Sequence, residues 1–195
     1  MVLGLTGRYC AGKDLVASLL AERGWIVIDV DDLGHGALAA RAADVVAAFG
    51  SDVGDGKDGI DRRRLGARVF GDDEALARLE AIVHPEMVRE VRRRIDDVGI
   101  GGKVIVNAAI LEKMGLDKLC DAILFVSAPM PLRFFRALRR DALPPQRILQ
   151  RFSAQKSIDA KRLRKDVDTY TIYNVGSIRH LRKKVLRIEA NLLKG

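Results

Sequence analysis

The stretch Gly7-Arg8-Tyr9-Cys10-Ala11-Gly12-Lys13 decides the fold of this chain. It follows the apolar run Val2 to Leu5, which is typical of a short buried strand, and it precedes a helical pattern that begins near Asp14. The order along the chain is a strand, two glycines that bracket four residues, a lysine and then a helix. This order allows backbone N–H groups to surround an anion. The sequence therefore predicts a phosphate-binding loop after the first strand.

Two charged side chains follow the second glycine of this loop. Lys13 supplies a positive charge that can reach the β- and γ-phosphates of a nucleotide. The next position is usually Ser or Thr, whose hydroxyl holds Mg²⁺, but this chain has Asp14. A carboxylate beside phosphates must lie on a cation, because otherwise it repels the nucleotide. We therefore predict that Asp14 ligates Mg²⁺ directly or through water.

The composition is that of a globular protein. The chain has 195 residues, of which 48% are hydrophobic, so it can bury a substantial core in one domain. A formal net charge of +8 suits phosphate-rich ligands and is also compatible with a nucleic-acid surface. The basic residues cluster in helical patterns with few aromatic residues among them, which favours solvated helix faces over nucleic-acid binding.

Cysteine content and hydropathy bear on the cellular location. Cys10 and Cys120 are too few and too far apart to indicate a disulfide framework or a zinc site, which favours a reducing cytosol. No apolar run approaches the length of a membrane span, and the N-terminus lacks a signal core. We therefore expect a cytoplasmic protein without a membrane segment. Cys10, inside the loop, is either a thiolate favoured by its surroundings or simply a small side chain.

The residues after the loop have the pattern of a parallel α/β sheet. We predict a helix over about 13–23 that stops at Gly24, and then a strand over 25–29. Together with the first strand they form a β-α-β unit. Further buried strands are predicted over 103–107, 122–126 and 169–173. Because ligands bind beyond the carboxyl ends of parallel strands, we expect Asp29 and Asp31 on the same side of the sheet as the phosphate loop.

Asp29, Asp31 and Asp32 form a carboxylate cluster at this predicted edge. One interpretation is helix capping, since Asp is favoured at the N-cap and first turn of the helix expected over 33–38. The other is catalysis, because a carboxylate orients and deprotonates the acceptor hydroxyl in phosphoryl transfer. We expect one of the three to cap the helix and assign the role of general base to Asp31.

The rest of the chain is read as mainly helical. Between 39 and 102 the pattern is broken by a Gly/Asp-rich loop over 50–59, and His84-Pro85 is predicted to open a helix that Gly101-Gly102 ends. The later elements are a basic helix over 132–140, a helix through Gln155, a turn and N-cap over 174–177, and a closing helix over 178–193.

Several stretches together carry a family resemblance. They are Gly4-Leu5-Thr6-Gly7, Val27-Ile28-Asp29-Val30-Asp31 with His35, Asp58-Gly59-Ile60-Asp61-Arg62, Leu79-Glu80-Ala81-Ile82-Val83-His84-Pro85, Cys120-Asp121-Ala122-Ile123-Leu124-Phe125-Val126, Arg140-Asp141 with Arg151 to Gln155, and Asn174-Val175-Gly176-Ser177. Over nearly the whole chain they resemble the dephospho-CoA kinase family. The phosphate loop alone would indicate only a nucleotide kinase or hydrolase, whereas the Asp-x-Asp and His-Pro stretches are more specific.

The resemblance implies a P-loop kinase fold, with a parallel sheet of about five strands flanked by helices, a helical acceptor-binding insertion and a lid. It implies one domain over 1–195. Its core would comprise about 1–38, 103–130 and 168–195, its acceptor-binding region about 39–102 and its lid about 131–167.

The resemblance also implies an activity and a set of site residues. The activity is transfer of the γ-phosphoryl group of ATP, with Mg²⁺, to the ribose 3′-hydroxyl of dephospho-CoA, the last step of CoA biosynthesis. The catalytic residues would be Lys13, Asp31 and Arg140, with Arg136 in reserve. Nucleotide binding would fall to Gly7, Cys10, Ala11, Gly12, Lys13, Asp14, Leu15 and Asn174. Acceptor binding would fall to Thr6, Asp31, His35, His84, Asn107 and Leu111.

The last residue of the third predicted strand and a residue just after it depart from the sequences that the chain resembles. Asn107 stands in the place of an acid, and Ala109 in the place of a proline. An amide can hydrogen-bond a ligand but cannot help to bind a cation by charge. The departure therefore affects the expected roles of residues at this strand and leaves the expected fold unchanged.

Two other functions remain open at this stage. The chain can be a kinase of another small acceptor, such as a nucleoside or nucleotide, because the acceptor is identified by resemblance alone. It can also be a catalytically lapsed protein that binds a nucleotide or RNA, as Asp14, Asn107, Ala109 and the basic surface suggest. The presence of a candidate base, the loop lysine and lid arginines favours an active kinase.

Overall fold

The computed structural model describes residues 1–57, 59–141, 143–154 and 167–194. The chain divides into two compact units, one of Met1–Asp29 with Ile95–Gly195 and the other of Val30–Arg94. Parts of the sequence predictions fall outside the described residues: Asp58, residue 142 and the segment 155–166 of the predicted lid, which begins with Gln155, and Gly195 of the predicted core.

A parallel sheet forms the centre of the first unit. Its strands are β1 (Val2–Gly7), β2 (Ile26–Asp29), β3 (Val104–Asn107), β4 (Ala122–Ser127) and β5 (Asp168–Tyr173). They lie in the order β2-β3-β1-β4-β5, and every neighbouring pair is parallel. The predicted sheet of five parallel strands is confirmed. The strand that leads into the phosphate loop is its central member.

The core of this unit forms around β1, because apolar side chains from strands and helices meet there. Leu3 and Leu5 are completely buried, as expected for a central strand with neighbours on both sides. Helices α1 (Lys13–Ala21) and α8 (Ile178–Leu192) contribute buried residues to the same cluster. The phosphate loop therefore starts from a strand that is held on both edges.

Two further helices of this unit are strongly basic. They are α6 (Met130–Asp141) and α7 (Pro145–Ala154), which correspond to the described part of the predicted lid. The predicted cap of α8 is confirmed, since the Ser177 hydroxyl accepts a hydrogen bond from the His180 N–H at 3.4 Å. Within the described residues, no helix is both long and apolar enough to cross a bilayer.

The second unit is helical. It comprises α2 (Val30–Ala40), α3 (Ala42–Phe49), α4 (Arg62–Val69) and most of α5 (Asp73–Val98). A small core of buried residues lies between α3 and α4, formed by Val45, Phe49, Val53 and Leu65. The helix expected to start at residue 33 begins earlier, directly after β2, so that Asp31 and Asp32 fall in its first turn, where the helix dipole favours negative charge.

The predicted helix start at His84-Pro85 is wrong. Both residues lie inside the 26-residue helix α5, which continues on either side of Pro85. An interior proline loses one backbone hydrogen bond and costs about 3 kcal/mol, but the Ala, Leu, Glu and Arg residues around it favour helix strongly enough to extend the helix through it. The helix also ends earlier than predicted, at Val98, and is followed by Gly99 with φ of 77°.

Glu189 is a buried carboxylate that ties α8 to the segment before β2. It accepts hydrogen bonds from Trp25 Nε1 and Arg23 Nε, both at 3.0 Å, and Lys103 Nζ lies 3.7 Å away. Burial raises the pKa of Glu189, but the two hydrogen bonds and the neighbouring cations lower it by more, so the pKa lies below its ordinary value. The carboxylate is therefore ionised in the folded protein.

We predict that Glu189→Ala lowers the free energy of unfolding by about 1–3 kcal/mol, because Trp25 Nε1 is left buried without an acceptor. Urea unfolding followed by the fluorescence of Trp25, the single tryptophan of the chain, measures this. Glu22→Ala is the matched control, because Glu22 also pairs with a residue of α8, Arg182, but at an exposed site. Loss of this exposed ion pair should lower the free energy of unfolding by less than about 1 kcal/mol. If Glu189→Ala and Glu22→Ala lower the free energy of unfolding by the same amount, Glu189 is not the stabilising acceptor of the Trp25 hydrogen bond.

The contribution of Glu189 should also depend on pH. Its folded-state pKa lies below the ordinary value of 4.5, so the ionised form stabilises the fold above that pH, and the contribution is lost as the pH falls further. We expect the difference in stability between the parent and Glu189→Gln to be constant above about pH 5 and to shrink below it. A constant difference down to pH 3 would contradict this.

Candidate phosphate-binding site

The backbone of the phosphate loop requires its two glycines for different reasons. A Cβ at Gly7 would lie 2.4 Å from the Val126 carbonyl oxygen, so a side chain there would separate β1 from β4. Gly12 has φ of 93° and is the N-cap of α1, and a Cβ there would lie 2.3 Å from Asn174 Nδ2. The loop thus passes close to β4 at its start and to the turn after β5 at its end.

Cys10 adopts an uncommon backbone conformation for a residue other than glycine. Its φ is 57°, the one positive value at a non-glycine position among the described residues. Its side chain is buried and packs with Ala137 and Ile148 from α6 and α7. Burial raises the pKa of the Cys10 thiol, in spite of the nearby Arg140. The structure therefore favours a small packed side chain over a reactive thiolate.

Lys13 lies in a chain of polar contacts that reaches β2. Its Nζ donates a hydrogen bond to Asn107 Oδ1 at 2.5 Å and lies 3.1 Å from Asp14 Oδ1. Asn107 in turn donates from Nδ2 to Asp29 Oδ2 at 2.8 Å. The strand register explains this arrangement, because Asn107 is paired with Leu5 of β1 and with Asp29 of β2. Asn107 is thus placed between a cation and a carboxylate.

Asp14 is suited to binding a hard cation. Its side chain is 69% exposed, so its oxygens are accessible. Burial raises the pKa of the Asp14 carboxyl, but the Lys13 ammonium, a hydrogen bond with Asn107 and the nearby Arg140 together lower it by more, so the pKa lies below its ordinary value. Within 1–57, 59–141, 143–154 and 167–194, no cluster of three or more His, Cys, Asp or Glu residues is placed to hold a metal ion.

The turn after β5 fixes the end of the phosphate loop. Asn174 donates from Nδ2 to the Ala11 carbonyl oxygen at 2.8 Å. Arg136 of α6 donates to the same oxygen at 3.3 Å and to the Asn174 carbonyl oxygen at 3.2 Å. The predicted nucleotide residue Asn174 therefore contacts the loop itself. Arg136 binds two backbone carbonyls and so helps to hold the phosphate loop against the turn after β5.

A second polar cluster connects the loop to α6 and α7. Asp141 accepts hydrogen bonds from Arg140 Nε at 2.6 Å and Arg151 at 3.2 Å, and also from the Tyr9 hydroxyl. The Arg140 guanidinium lies over the Tyr9 ring, 5.3 Å from its centroid. The hydrogen bond from Arg140 outweighs burial and holds the pKa of Asp141 below its ordinary value. Arg140 is therefore close to the loop, in contact with an ionised carboxylate.

An open cleft of about 310 Å³ lies between the loop and α6. Its walls include Cys10 and Gly12 on one side and Arg136, Arg139 and Arg140 on the other. Three arginines beside the N-cap of α1 make the cleft positively charged, although Arg136 is bound to backbone carbonyls and Arg140 to Asp141.

The remaining predicted residues fall into two groups. In the first unit, Leu15 packs against the main core, and Leu111 is buried, with 1% of its surface exposed. The Thr6 hydroxyl donates a hydrogen bond to the Ala109 carbonyl oxygen at 3.2 Å.

The second unit contains the other three predicted acceptor residues. Asp31 and His35 are exposed and lie one turn apart on α2. His84 is half-buried in α5.

Sequence reasoning missed the roles of several residues in the first unit. Nothing in the sequence links Tyr9 to Asp141 or Arg151, because the contacts span more than 130 residues of chain. Arg133, expected on a solvated helix face, is buried, donates to the Ala128 carbonyl oxygen at 3.0 Å and lies 4.7 Å from the Phe152 ring centroid. A lone arginine in a basic helix carries no signal that distinguishes these environments.

The comparison with protein families decides the relationship. The dephospho-CoA kinase family matches residues 1–179. The chain belongs to the dephospho-CoA kinase family. The family resemblance and the P-loop kinase fold predicted from the sequence are both confirmed.

Similar proteins match the chain over nearly its full length. A dephospho-CoA kinase from Anaeromyxobacter dehalogenans is 35% identical over 199 residues, covering 100% of this chain and 93% of the relative. A crystal structure of a Thermus thermophilus protein matches with a TM-score of 0.80 at 30% identity, covering 98% of this chain and 97% of the other. The structure of a dephospho-CoA kinase from Campylobacter jejuni matches with a TM-score of 0.65 at 22% identity, and the match covers 100% of this chain and 98% of the other. This likeness shows a shared fold.

We predict that Gly12→Ala weakens nucleotide binding more than it destabilises the fold. The new Cβ strains a left-handed backbone, at roughly 1–2 kcal/mol, and also displaces the Asn174 side chain from the loop. Calorimetry with ATP and urea unfolding measure the two effects. Gly24→Ala is the matched control, since φ there is 82° and no atom lies within 4 Å of the added Cβ. If both variants bind ATP as the parent does, the contact with Asn174 is irrelevant to the site.

Proposed function

We propose that this chain transfers the γ-phosphoryl group of ATP to the ribose 3′-hydroxyl of dephospho-CoA, which yields CoA. The family match over residues 1–179 carries this proposal. The phosphate loop supports it, because the glycines, the lysine and the helix N-terminus are in the arrangement that phosphoryl transfer needs.

On the nucleotide side, the N–H groups of the loop and Lys13 bind the β- and γ-phosphates. The residues assigned to this role are Gly7, Cys10, Ala11, Gly12, Lys13, Asp14 and Leu15, with Asn174 on the adenine side. Arg140 exchanges its Asp141 contact for phosphate oxygens when α6 and α7 close on the nucleotide. Arginine suits this step, because its planar guanidinium stays charged and binds phosphate bidentately.

Asp14 is the proposed protein ligand of Mg²⁺. Its exposed, ionised carboxylate fits a hard cation, and its place next to Lys13 brings it beside the phosphates. When bound, Mg²⁺ neutralises charge that develops on the phosphate oxygens. Asp14 then balances the charge of Lys13 and keeps the cation next to the loop.

On the acceptor side, Asp31 accepts the proton of the attacking hydroxyl. It is exposed in the first turn of α2, and His35 follows one turn later on the same helix. His84, Thr6, Asn107 and Leu111 complete the proposed acceptor residues, although Asn107 contacts Lys13 and Asp29 directly. A cytoplasmic location remains a prediction.

A coupled assay with ATP, Mg²⁺ and a panel of acceptors tests the proposal directly. We expect dephospho-CoA to be the preferred acceptor over nucleosides and nucleotides. Preference for a nucleoside would support the second candidate, a kinase of another small acceptor with the same loop chemistry. Binding of ATP or RNA without transfer to any acceptor would support a lapsed enzyme.

Replacement of the proposed base separates chemistry from binding. We predict that Asp31→Asn lowers kcat by roughly two to four orders of magnitude, because the acceptor hydroxyl loses its proton acceptor, while ATP affinity is unchanged. Asp32→Asn is the matched control, since it removes a carboxylate from the same helical turn. A normal kcat in Asp31→Asn would reassign the base to Asp29 or Asp32.

A further inference from the structure

Tyr9 belongs to the phosphate loop, and its side chain contacts both basic helices of the first unit. Its ring packs edge-on against Phe152 of α7, with 5.6 Å between the two ring centroids. The guanidinium groups of Arg140 and Arg151 lie 5.3 and 5.6 Å from the centroid of the same ring. Contacts of this kind attract a cation to the face of an aromatic ring. Tyr9 thus connects the loop to α6 and to α7.

The hydroxyl of Tyr9 makes two further polar contacts. It donates a hydrogen bond to the Asp141 carboxylate and accepts one from Arg151 at 3.2 Å. Burial and the hydrogen bond to Asp141 raise the pKa of Tyr9, so the hydroxyl keeps its proton at neutral pH. Tyr9 is therefore a stable donor to an ionised carboxylate, and a hydrogen bond to a charged acceptor is stronger than one between neutral groups.

The two oxygens of Asp141 have different donors. Arg140 donates mainly to Oδ1, from Nε at 2.6 Å, with a longer contact to Oδ2 at 3.4 Å. Tyr9 and Arg151 both donate to Oδ2. If Arg140 leaves Asp141, the carboxylate still has two donors. The free-energy cost of that departure is therefore smaller than for a carboxylate left without a partner.

Arg140 also forms part of the wall of the cleft beside the loop, together with Cys10 and Gly12. A phosphate group bound in this cleft competes with Asp141 for the guanidinium, because both are anions that accept its N–H donors. The affinity of the cleft for phosphate therefore depends on how strongly Asp141 retains Arg140.

We propose that Tyr9 is a positioning residue for the nucleotide, because its hydroxyl shares the charge of Asp141 and so makes Arg140 available to the phosphates. Tyr9 acts on the nucleotide through Asp141 and Arg140, while Arg151 is the second donor that remains on the carboxylate. This inference deepens the proposed function and rests on the binding of phosphate by Arg140.

Tyr9→Phe tests the proposal, since it removes the hydroxyl and keeps the ring. The measurement is calorimetry of ATP binding with Mg²⁺ in the absence of any acceptor. We expect the affinity to fall about threefold to tenfold, because Asp141 then retains Arg140 more strongly. Tyr170→Phe is the matched control, since it removes a hydroxyl from a half-buried tyrosine of β5 and should leave the affinity unchanged. Parent affinity in Tyr9→Phe would overturn the proposal.

The same substitution in two other backgrounds distinguishes this role from a purely structural one. Arg140→Ala removes the guanidinium and Asp141→Asn removes the charge that retains it, so in either background the Tyr9 hydroxyl has no competition to influence. We expect Tyr9→Phe to change ATP affinity by less than about twofold in both. The full threefold to tenfold loss in either background would overturn the proposal. Asp141→Asn also covers the case in which Arg140→Ala binds ATP too weakly to measure.

The readouts separate this inference from the proposed function, because ATP binding is measured without an acceptor. If Tyr9→Phe loses affinity only when Arg140 and Asp141 are present, but the parent does not phosphorylate dephospho-CoA, the proposed acceptor fails while the role of Tyr9 stands. If the parent phosphorylates dephospho-CoA but Arg140→Ala binds ATP as the parent does, the role of Tyr9 is overturned while the proposed reaction stands.

Discussion

The parallel pairing of β1 with β3 and β4 is the constraint on which the site depends. It fixes where the chain leaves the sheet at Gly7 and sets Asn107 beside Leu5, while the pairing of β2 with β3 sets Asn107 beside Asp29. Because the strands are parallel, their carboxyl ends meet at one edge, and polar residues that follow them are brought together there. The contact between Lys13 and Asn107 is a direct product of this register. A shift of β3 by one residue would turn the amide away from the lysine.

Local patterns were sufficient to predict the sheet, the loop and the helix after it. The β-branched strands, the two glycines and the lysine are short-range signals, and each reflects a requirement of the backbone at its own position. His84-Pro85 shows the limit of this reasoning. Proline is favoured in a first turn, but the residues around it continue α5 on both sides, and the sum of their preferences outweighs the single defect.

The contacts around Asp141 could not have been predicted from the sequence, for a different reason. Tyr9, Arg140 and Arg151 reach this carboxylate only after α6 and α7 have packed beside the loop. Charged residues in helices are common, and most are solvated, so their spacing does not reveal which ones converge. The same holds for the contact between Asn107 and Lys13, which depends on the register of β3 and has no signal in the sequence.

Two carbonyl groups of the phosphate loop are hydrogen-bonded by side chains from outside the loop. The Ala11 carbonyl is bound by Asn174 and Arg136, and the Tyr9 carbonyl is contacted by Arg133 at 3.4 Å. These donors hold two peptide groups of the loop in place within the folded protein, so the loop backbone needs little reorganisation to bind an anion. The entropic cost of ordering the loop is therefore met during folding and not when an anion binds.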